Sequence, residues 1–229
     1  MLLSREIKIV KIFSLERKSN MSRLVKRIIR TGVLRVDTGL QINGPDVGIG
    51  PGGLDSRVTR NPLTNDVYIP GSSVKGKMRS ELEQIYDKSK NGEPCGCGDK
   101  NCIVCTMFGA NRNTKSNAGV PRLKVRDMNL IDELSGKREV TEVKAATSIN
   151  RKTGTAANGS LRQVERICAG TEFTYEFVLS IYDGDNEKKL VETLDTCMDL
   201  IEDSGIGGGT SRGNGKVTFL TRTDKEKVY

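Results

Sequence analysis

Histidine and tryptophan are both absent from the 229 residues, and only five Phe and five Tyr are present. Without histidine there is no imidazole general base, no Ser-His triad, no His metal ligand and no histidine pair of the kind used by many ribonucleases. Chemistry in this chain must run through carboxylate, lysine, thiolate or a bound metal. The aromatics fall mostly in apolar patterns and leave little for base-stacking platforms, so any nucleic-acid binding is expected to address the backbone. Also lacking is any apolar run close to the ~18 residues of a membrane span, and the N-terminus has no signal-peptide core with a small-residue cleavage site. The expectation is a cytoplasmic protein with no membrane partner.

What is present is an ordinary globular composition, 35% hydrophobic and 29% charged, at a length that fits one domain with sizeable insertions. The net charge of +8 is uneven. Residues 1–37 hold 10 basic and 3 acidic groups, whereas Asp183 to Asp203 carries eight acids against two lysines. Such a split predicts one acidic and one basic surface, the footprint of a polyanion binder. Met21 stands immediately before a strand pattern, so residues 1–20 read as an extension, non-native or disordered, and 21–229 as the domain.

Arg23 to Asp37 is β-branched and half alternating, a strand. Residues 38–72 form a Gly- and Pro-rich segment too long for an ordinary connection, and therefore functional. Ser72 or Ser73 then caps a helix with Val74, Met78, Leu82 and Ile85 on one face and Lys75, Lys77 and Arg79 near its start. After a Cys-rich insertion over 89–120, Arg122 to Ile131 reads as a strand. Residues 132–170 read as a polar, basic excursion. Phe173, Tyr175, Phe177, Leu179 and Ile181 alternate strictly, as in a strand. Leu190, Leu194, Cys197, Met198 and Ile201 recur at helical spacing, and Lys216 to Thr221 is the last strand. The order strand, helix, strand, strand, helix, strand predicts an α+β fold with a ferredoxin-like, RRM-like β-α-β-β-α-β core.

Two motifs carry chemistry. Cys95, Cys97, Cys102 and Cys105 form C-x-C-x4-C-x2-C, four thiolates close enough for a tetrahedral shell. Two disulfides are the alternative, but the absence of a secretory signal favours a structural Zn2+. Cys168 and Cys197 fit strand and helix patterns as buried small hydrophobes. Gly205 to Lys216 (GIGGGTSRGNGK) is glycine-rich with Arg212 and Lys216. It lacks the ending of a nucleotide-binding P-loop, and is equally readable as a flexible turn or as a phosphate cradle.

In combination the motifs are more specific. Gly52-Gly53-Leu54-Asp55-Ser56, then Ile69-Pro70-Gly71-Ser72-Ser73-Val74-Lys75-Gly76-Lys77-Met78-Arg79, the Cys cluster running into Met107-Phe108-Gly109, and Gly207-Gly208-Gly209-Thr210-Ser211-Arg212-Gly213-Asn214-Gly215 occur in the order of one family. The chain from 21 to 229 resembles the Cas-seven type RAMP backbone subunit of type III-A CRISPR (Csm) effector complexes. The resemblance implies a RAMP core whose insertions form a catalytic loop, a zinc-bearing lid and a thumb. It implies copies stacked as a filament along crRNA, cleavage of paired target RNA, and contacts to other Csm subunits. Asp55 matches the acid needed for cleavage. Gln41, where the family often has histidine, and Ser72, Ser73, Lys75, Lys77, Arg79, Gly207, Gly208, Gly209, Arg212 and Gly213 match the guide-holding segments. Asn150, Arg151, Arg162 and Arg166 match the ends of the thumb. A mechanism without histidine places a divalent cation, Mg2+ or Mn2+, near Asp55 while the 2′-hydroxyl attacks in line. The competing readings are a non-catalytic crRNA scaffold and a repeat-processing RAMP endoribonuclease.

Overall fold

The computed structural model describes residues 23–44, 56–89, 92–110, 116–136 and 139–229; Asp55 and the 1–20 extension lie outside the described residues. In chain order the elements are β1 (Leu24–Val36), β2 (Tyr68–Ile69), α1 (Gly71–Ile85), α2 (Ile103–Phe108), β3 (Leu123–Val125), β4 (Met128–Leu130), β5 (Thr141–Ala146), β6 (Arg162–Ile167), β7 (Glu172–Tyr182), α3 (Glu187–Ser204), β8 (Val217–Phe219) and β9 (Thr223–Val228).

β7 pairs antiparallel with β1, with Leu34 opposite Phe173 and Ile28 opposite Leu179. Side chains alternate across a strand, so Phe173, Tyr175, Phe177, Leu179 and Ile181 share the side of Ile28, Leu34 and Val36, and all eight are buried. That face receives Val74, Met78 and Leu82 of α1 and Leu190, Leu194, Cys197, Met198 and Ile201 of α3. Tyr175, Phe177 and Phe219 form an aromatic cluster with ring centroids 4.9–6.0 Å apart. The strand order β2-β4-β7-β1-β8, with β3 also on β7 and β9 also on β1, is antiparallel at each pairing. The ferredoxin-like core expected from the sequence is therefore the fold observed.

Local details differ from the sequence reading. Neither serine caps α1. Pro70 is the N-cap residue, and Ser72 and Ser73 lie exposed in the first turn. The Gly71 N–H donates instead to Asp127 Oδ1 at 2.7 Å, a carboxylate brought in from the turn between β3 and β4. A Cβ on Gly71 would sit 2.5 Å from the Val125 carbonyl oxygen, so glycine is what permits this approach. The diversion of Asp127 to the helix end also explains why Arg122 to Ile131 is two short strands and not one. Cys168 lies just beyond β6 and is only half-buried, whereas Cys197 is fully buried as expected.

The C-terminal strand β9 escaped the periodicity because Thr223 to Val228 is exposed throughout and polar except for Val228. Its anchor is Arg30, buried on β1, whose guanidinium holds Asp224 through two 2.8 Å hydrogen bonds and also engages Asp195 of α3. Other acids of the 183–203 segment are likewise met from within the chain: Lys26 pairs with Glu187, Arg222 with Asp199 and Glu202, and Arg122 with Asp185. The expected acidic surface is thus partly neutralised internally. Arg30→Met should lower stability by about 2–3 kcal/mol, less than the ~3–5 of a fully buried pair because both aspartates are partly open to water, or roughly 4–12 °C in Tm by thermal unfolding. The hydrogen bond from Arg30 holds the Asp224 carboxyl below its ordinary value. The share of stability carried by that aspartate is therefore present at neutral pH and lost as pH falls through its depressed pKa. A variant melting like the wild type would show that β9 needs no such anchor.

Candidate nucleic-acid interface and metal centre

The glycine-rich loop is a built structure. After α3 the Ile206 N–H donates to the Gly215 carbonyl at 2.9 Å, the Gly215 N–H to Gly39 at 3.0 Å and the Gly208 N–H to Gln41 at 2.8 Å. A Cβ on Gly207 would lie 2.3 Å from the Gln41 carbonyl oxygen, and one on Gly215 2.0 Å from that of Ile206. Both glycines also have positive φ, +78° and +77°, so larger residues are excluded by backbone conformation and by space. Arg212 sits in a short 3-10 turn (Thr210–Arg212) bounded by Gly209 and Gly213, both left-handed. Arg166 reaches the loop through Asn214 at 3.1 Å while pairing with Glu142 at 2.7 Å. Gln41, the three consecutive glycines and Arg166, distant in sequence, are thereby brought to one place.

The predicted cations of α1 divide into different roles. Lys77 pairs with Glu81, one turn on. Arg79 binds Glu83 at 2.8 Å and the Cys95 carbonyl at 2.8 Å, so it ties the cysteine insertion to the helix. Lys75 is half-buried, and burial first, then the like charges of Arg79 and Lys124, push its pKa down. An anion at this helix start would offset the like-charge repulsion and give the half-buried ammonium a counter-charge. Among the residues expected from the resemblance to form a thumb, Asn150 closes an Asx turn onto the Lys152 N–H, and Arg151 and Arg162 are exposed on the excursion that β5 and β6 pair to form. Ile149 and Leu161, large and apolar, are also exposed there.

The four cysteine sulfurs lie within 4.8 Å of one another. Separations of 3.6 Å (Cys95–Cys97), 3.9 Å (Cys95–Cys102), 3.8 Å (Cys95–Cys105) and 3.6 Å (Cys97–Cys105) match the ~3.8 Å edge of a tetrahedron with ~2.3 Å metal–sulfur bonds, and not the ~2.05 Å of a disulfide. The cluster can therefore hold a metal. Cys95, Cys102 and Cys105 are buried and Cys97 is exposed. A hydrogen bond from the Asp99 N–H leads in lowering the Cys97 thiol to about 7, whereas burial pushes Cys95 and Cys105 up. Glu83 accepts the Cys95 N–H at 2.9 Å, so the Arg79–Glu83 pair clasps both backbone groups of the first ligand.

Asp55 is outside the described residues, but the chain on either side of 45–55 is defined. Gly44 N–H donates to the Arg57 carbonyl at 3.0 Å, Thr59 N–H to Ile42 at 3.0 Å, and Ser56 Oγ to Asn43 Oδ1. Glu165 of β6 accepts the Val58 N–H at 3.0 Å and an Arg60 N–H at 2.6 Å. Burial opposes its charge, but the Arg60 and Val58 hydrogen bonds outweigh burial and hold its carboxyl below the ordinary value. The RAMP superfamily profile matches residues 29–218, which include every segment of this interface and the cysteine cluster.

The chain belongs to the RAMP superfamily. It is 36% identical over 223 residues to a protein of Methanothermobacter thermautotrophicus named CRISPR system Cms endoribonuclease Csm3, covering 90% of this chain and 88% of the relative. A Streptococcus thermophilus protein of the same name is 38% identical over 193 residues, covering 81% and 84%. Among solved structures, the chain resembles one from a Csm3–Csm4 subcomplex of the type III-A CRISPR-Cas interference complex, with a TM-score of 0.58, 27% identity and coverage of 90% and 89%.

In this RAMP chain, sequence reasoning found the motif-bearing residues and missed their supports. Asp127, Glu83, Glu142 and Glu165 belong to no local motif, and Asn214, although inside the glycine-rich motif, was not singled out. The signal available for Glu165 was weak, a lone acid inside the basic stretch Arg162 to Arg166. No described helix is long and apolar enough to cross a membrane.

Proposed function

We propose that this RAMP protein is a backbone subunit of a type III-A (Csm) CRISPR interference complex, binding guide crRNA as a filament of copies in the cytoplasm and cutting complementary target RNA. The observation that carries the reading is the near full-length identity to relatives named Csm3 endoribonucleases. The geometry is consistent with it. The loop around Gly207 to Gly209 presents backbone without side-chain bulk to a phosphodiester chain, and Gln41, Arg166 and Arg212 supply polar and charged partners beside it. Ser72, Ser73 and Lys75 add a helix start suited to an anion. Sequence-independent contact is what a guide holder needs, because base pairing supplies specificity. Asn150, Arg151 and Arg162 lie on the hairpin that we read as the thumb.

For the cleavage step we assign Asp55 to orient the attacking 2′-hydroxyl. The 2′-hydroxyl proton passes to solvent water as the 2′-oxygen bonds to phosphorus, and the bond to the 5′-oxygen breaks as that oxygen takes a proton from solvent, leaving a cyclic phosphate and a 5′-hydroxyl. Among the described residues, the four cysteines are the one group of three or more candidate metal ligands, so no multi-carboxylate cage is available there. Asp55 would hold a divalent cation such as Mg2+ or Mn2+, which would supply charge stabilisation to the reacting phosphate. The cysteine cluster suits structural zinc, a closed all-sulfur shell with no open position for substrate.

Reconstitution with crRNA and partner Csm subunits tests the reading. Labelled complementary RNA should be cut at regularly spaced positions and unrelated RNA left intact. Site-specific cutting of precursor repeat RNA by the isolated chain would instead favour a processing enzyme.

A further inference from the structure

We infer that Glu165 is a positioning residue that locks Ser56 to Arg60, the chain that follows Asp55, to the stem of the thumb; this rests on the reading of Asp55 above. Ser56 forms a parallel bridge with Val164 of β6 and its carbonyl accepts the Glu165 N–H at 3.0 Å. One residue therefore makes three anchors within five positions of the loop: its N–H at Ser56, one carboxylate oxygen at Val58 and the other at Arg60. Arg60 extends the clamp to β5 through Thr141 Oγ1 at 3.0 Å. Glu165 is itself buried, so neither oxygen is available to RNA and the carboxylate acts only through the limb it holds. Because β6 runs from exposed Arg162 to buried Ile167, which pairs with Leu40, the same strand fixes the outgoing limb of the loop as well. A displacement of the thumb by bound RNA is thereby transmitted to the residues beside Asp55.

The test uses the guide-loaded complex carrying Glu165→Gln, Glu165→Ala or Asp55→Ala. Gln keeps the shape but turns one N–H donor of its own toward a donor of the loop; Ala removes both carboxylate anchors. Misplacing a reacting group by about 1 Å costs roughly 100-fold, so single-turnover cutting should fall roughly 10- to 100-fold in Glu165→Ala and less in Glu165→Gln. Guide occupancy and target affinity should stay near wild type. The readout that a merely structural role would not move is the register of cutting: products from neighbouring phosphates should appear in the Glu165 variants. Wild-type rate and register in both Glu165 variants, with Asp55→Ala inactive, would overturn the clamp while leaving the assignment of Asp55 intact. Normal cutting by Asp55→Ala would overturn both. If Glu165→Ala fails to assemble, Glu165→Gln decides through the same register.

Discussion

Asp55→Ala is expected to reduce cutting of guide-paired RNA by roughly 100- to 1,000-fold, the scale for losing one preorganised group that acts on the reacting atoms. Guide loading and target binding should change little, because those contacts are assigned to the glycine-rich loop, α1 and the thumb. The chain has no imidazole, so no histidine general base can stand in for Asp55 near neutral pH. Single-turnover cleavage and filter binding on the same preparation separate the outcomes. Lost cutting with retained binding identifies Asp55 with the chemical step. Cutting that survives at every site would move the chemistry elsewhere in the assembly and leave this chain as a scaffold.

Loss of the metal proposed for the cysteine cluster is the second large effect expected. Cys105→Ser or chelation should lower Tm by roughly 6–12 °C, corresponding to about 3 kcal/mol in a chain of this size. The reason is local. The cluster joins the 92–110 segment, whose Val104, Met107 and Phe108 are buried, to α1 through the Arg79–Glu83 clasp on Cys95. Without a metal, three buried thiols remain and the clasp holds a loop with no closure of its own. Zinc binds thiolates, so protons compete with it and occupancy falls as pH drops. Burial strengthens that competition at Cys95 and Cys105, whose pKa values are raised, while Cys97 at about 7 yields its proton most readily. Metal analysis of freshly purified protein, with calorimetry before and after chelation, checks both statements. Stoichiometric zinc and a chelation-dependent Tm are expected; a metal-free protein with an unchanged melt would assign the cluster to four reduced thiols.

The core was readable because its information is periodic. Phe173 to Ile181 alternates at period two, and Leu190 to Ile201 recurs at the helical period, so each buries one face whatever its neighbours are. The cysteine spacing was readable for a related reason: four ligands within eleven residues meet with little help from the rest of the chain. β9 was not readable, since five of its six residues are polar and its pairing is secured by Arg30, which is nearly two hundred positions away. Asp127 misled the reading of α1 in the same way, capping from outside the helix what the adjacent serines were expected to cap.

By itself the amino-acid sequence determined the α+β order of elements, the four cysteines that could hold a metal, the exclusion of imidazole chemistry and the motifs that resemble the RAMP backbone family. Each depends on composition or on residues a few positions apart. Tertiary structure alone decided which charges are available. It spent Arg79 on the cysteine insertion, Arg30 on the C-terminal strand and much of the acidic helix on cations of the same chain. It also placed Gln41, Gly207 and Arg166 together and set Glu165 against Val58 and Arg60. Burial and pairing of charge depend on which surfaces meet after folding, and sequence separation carries no record of that.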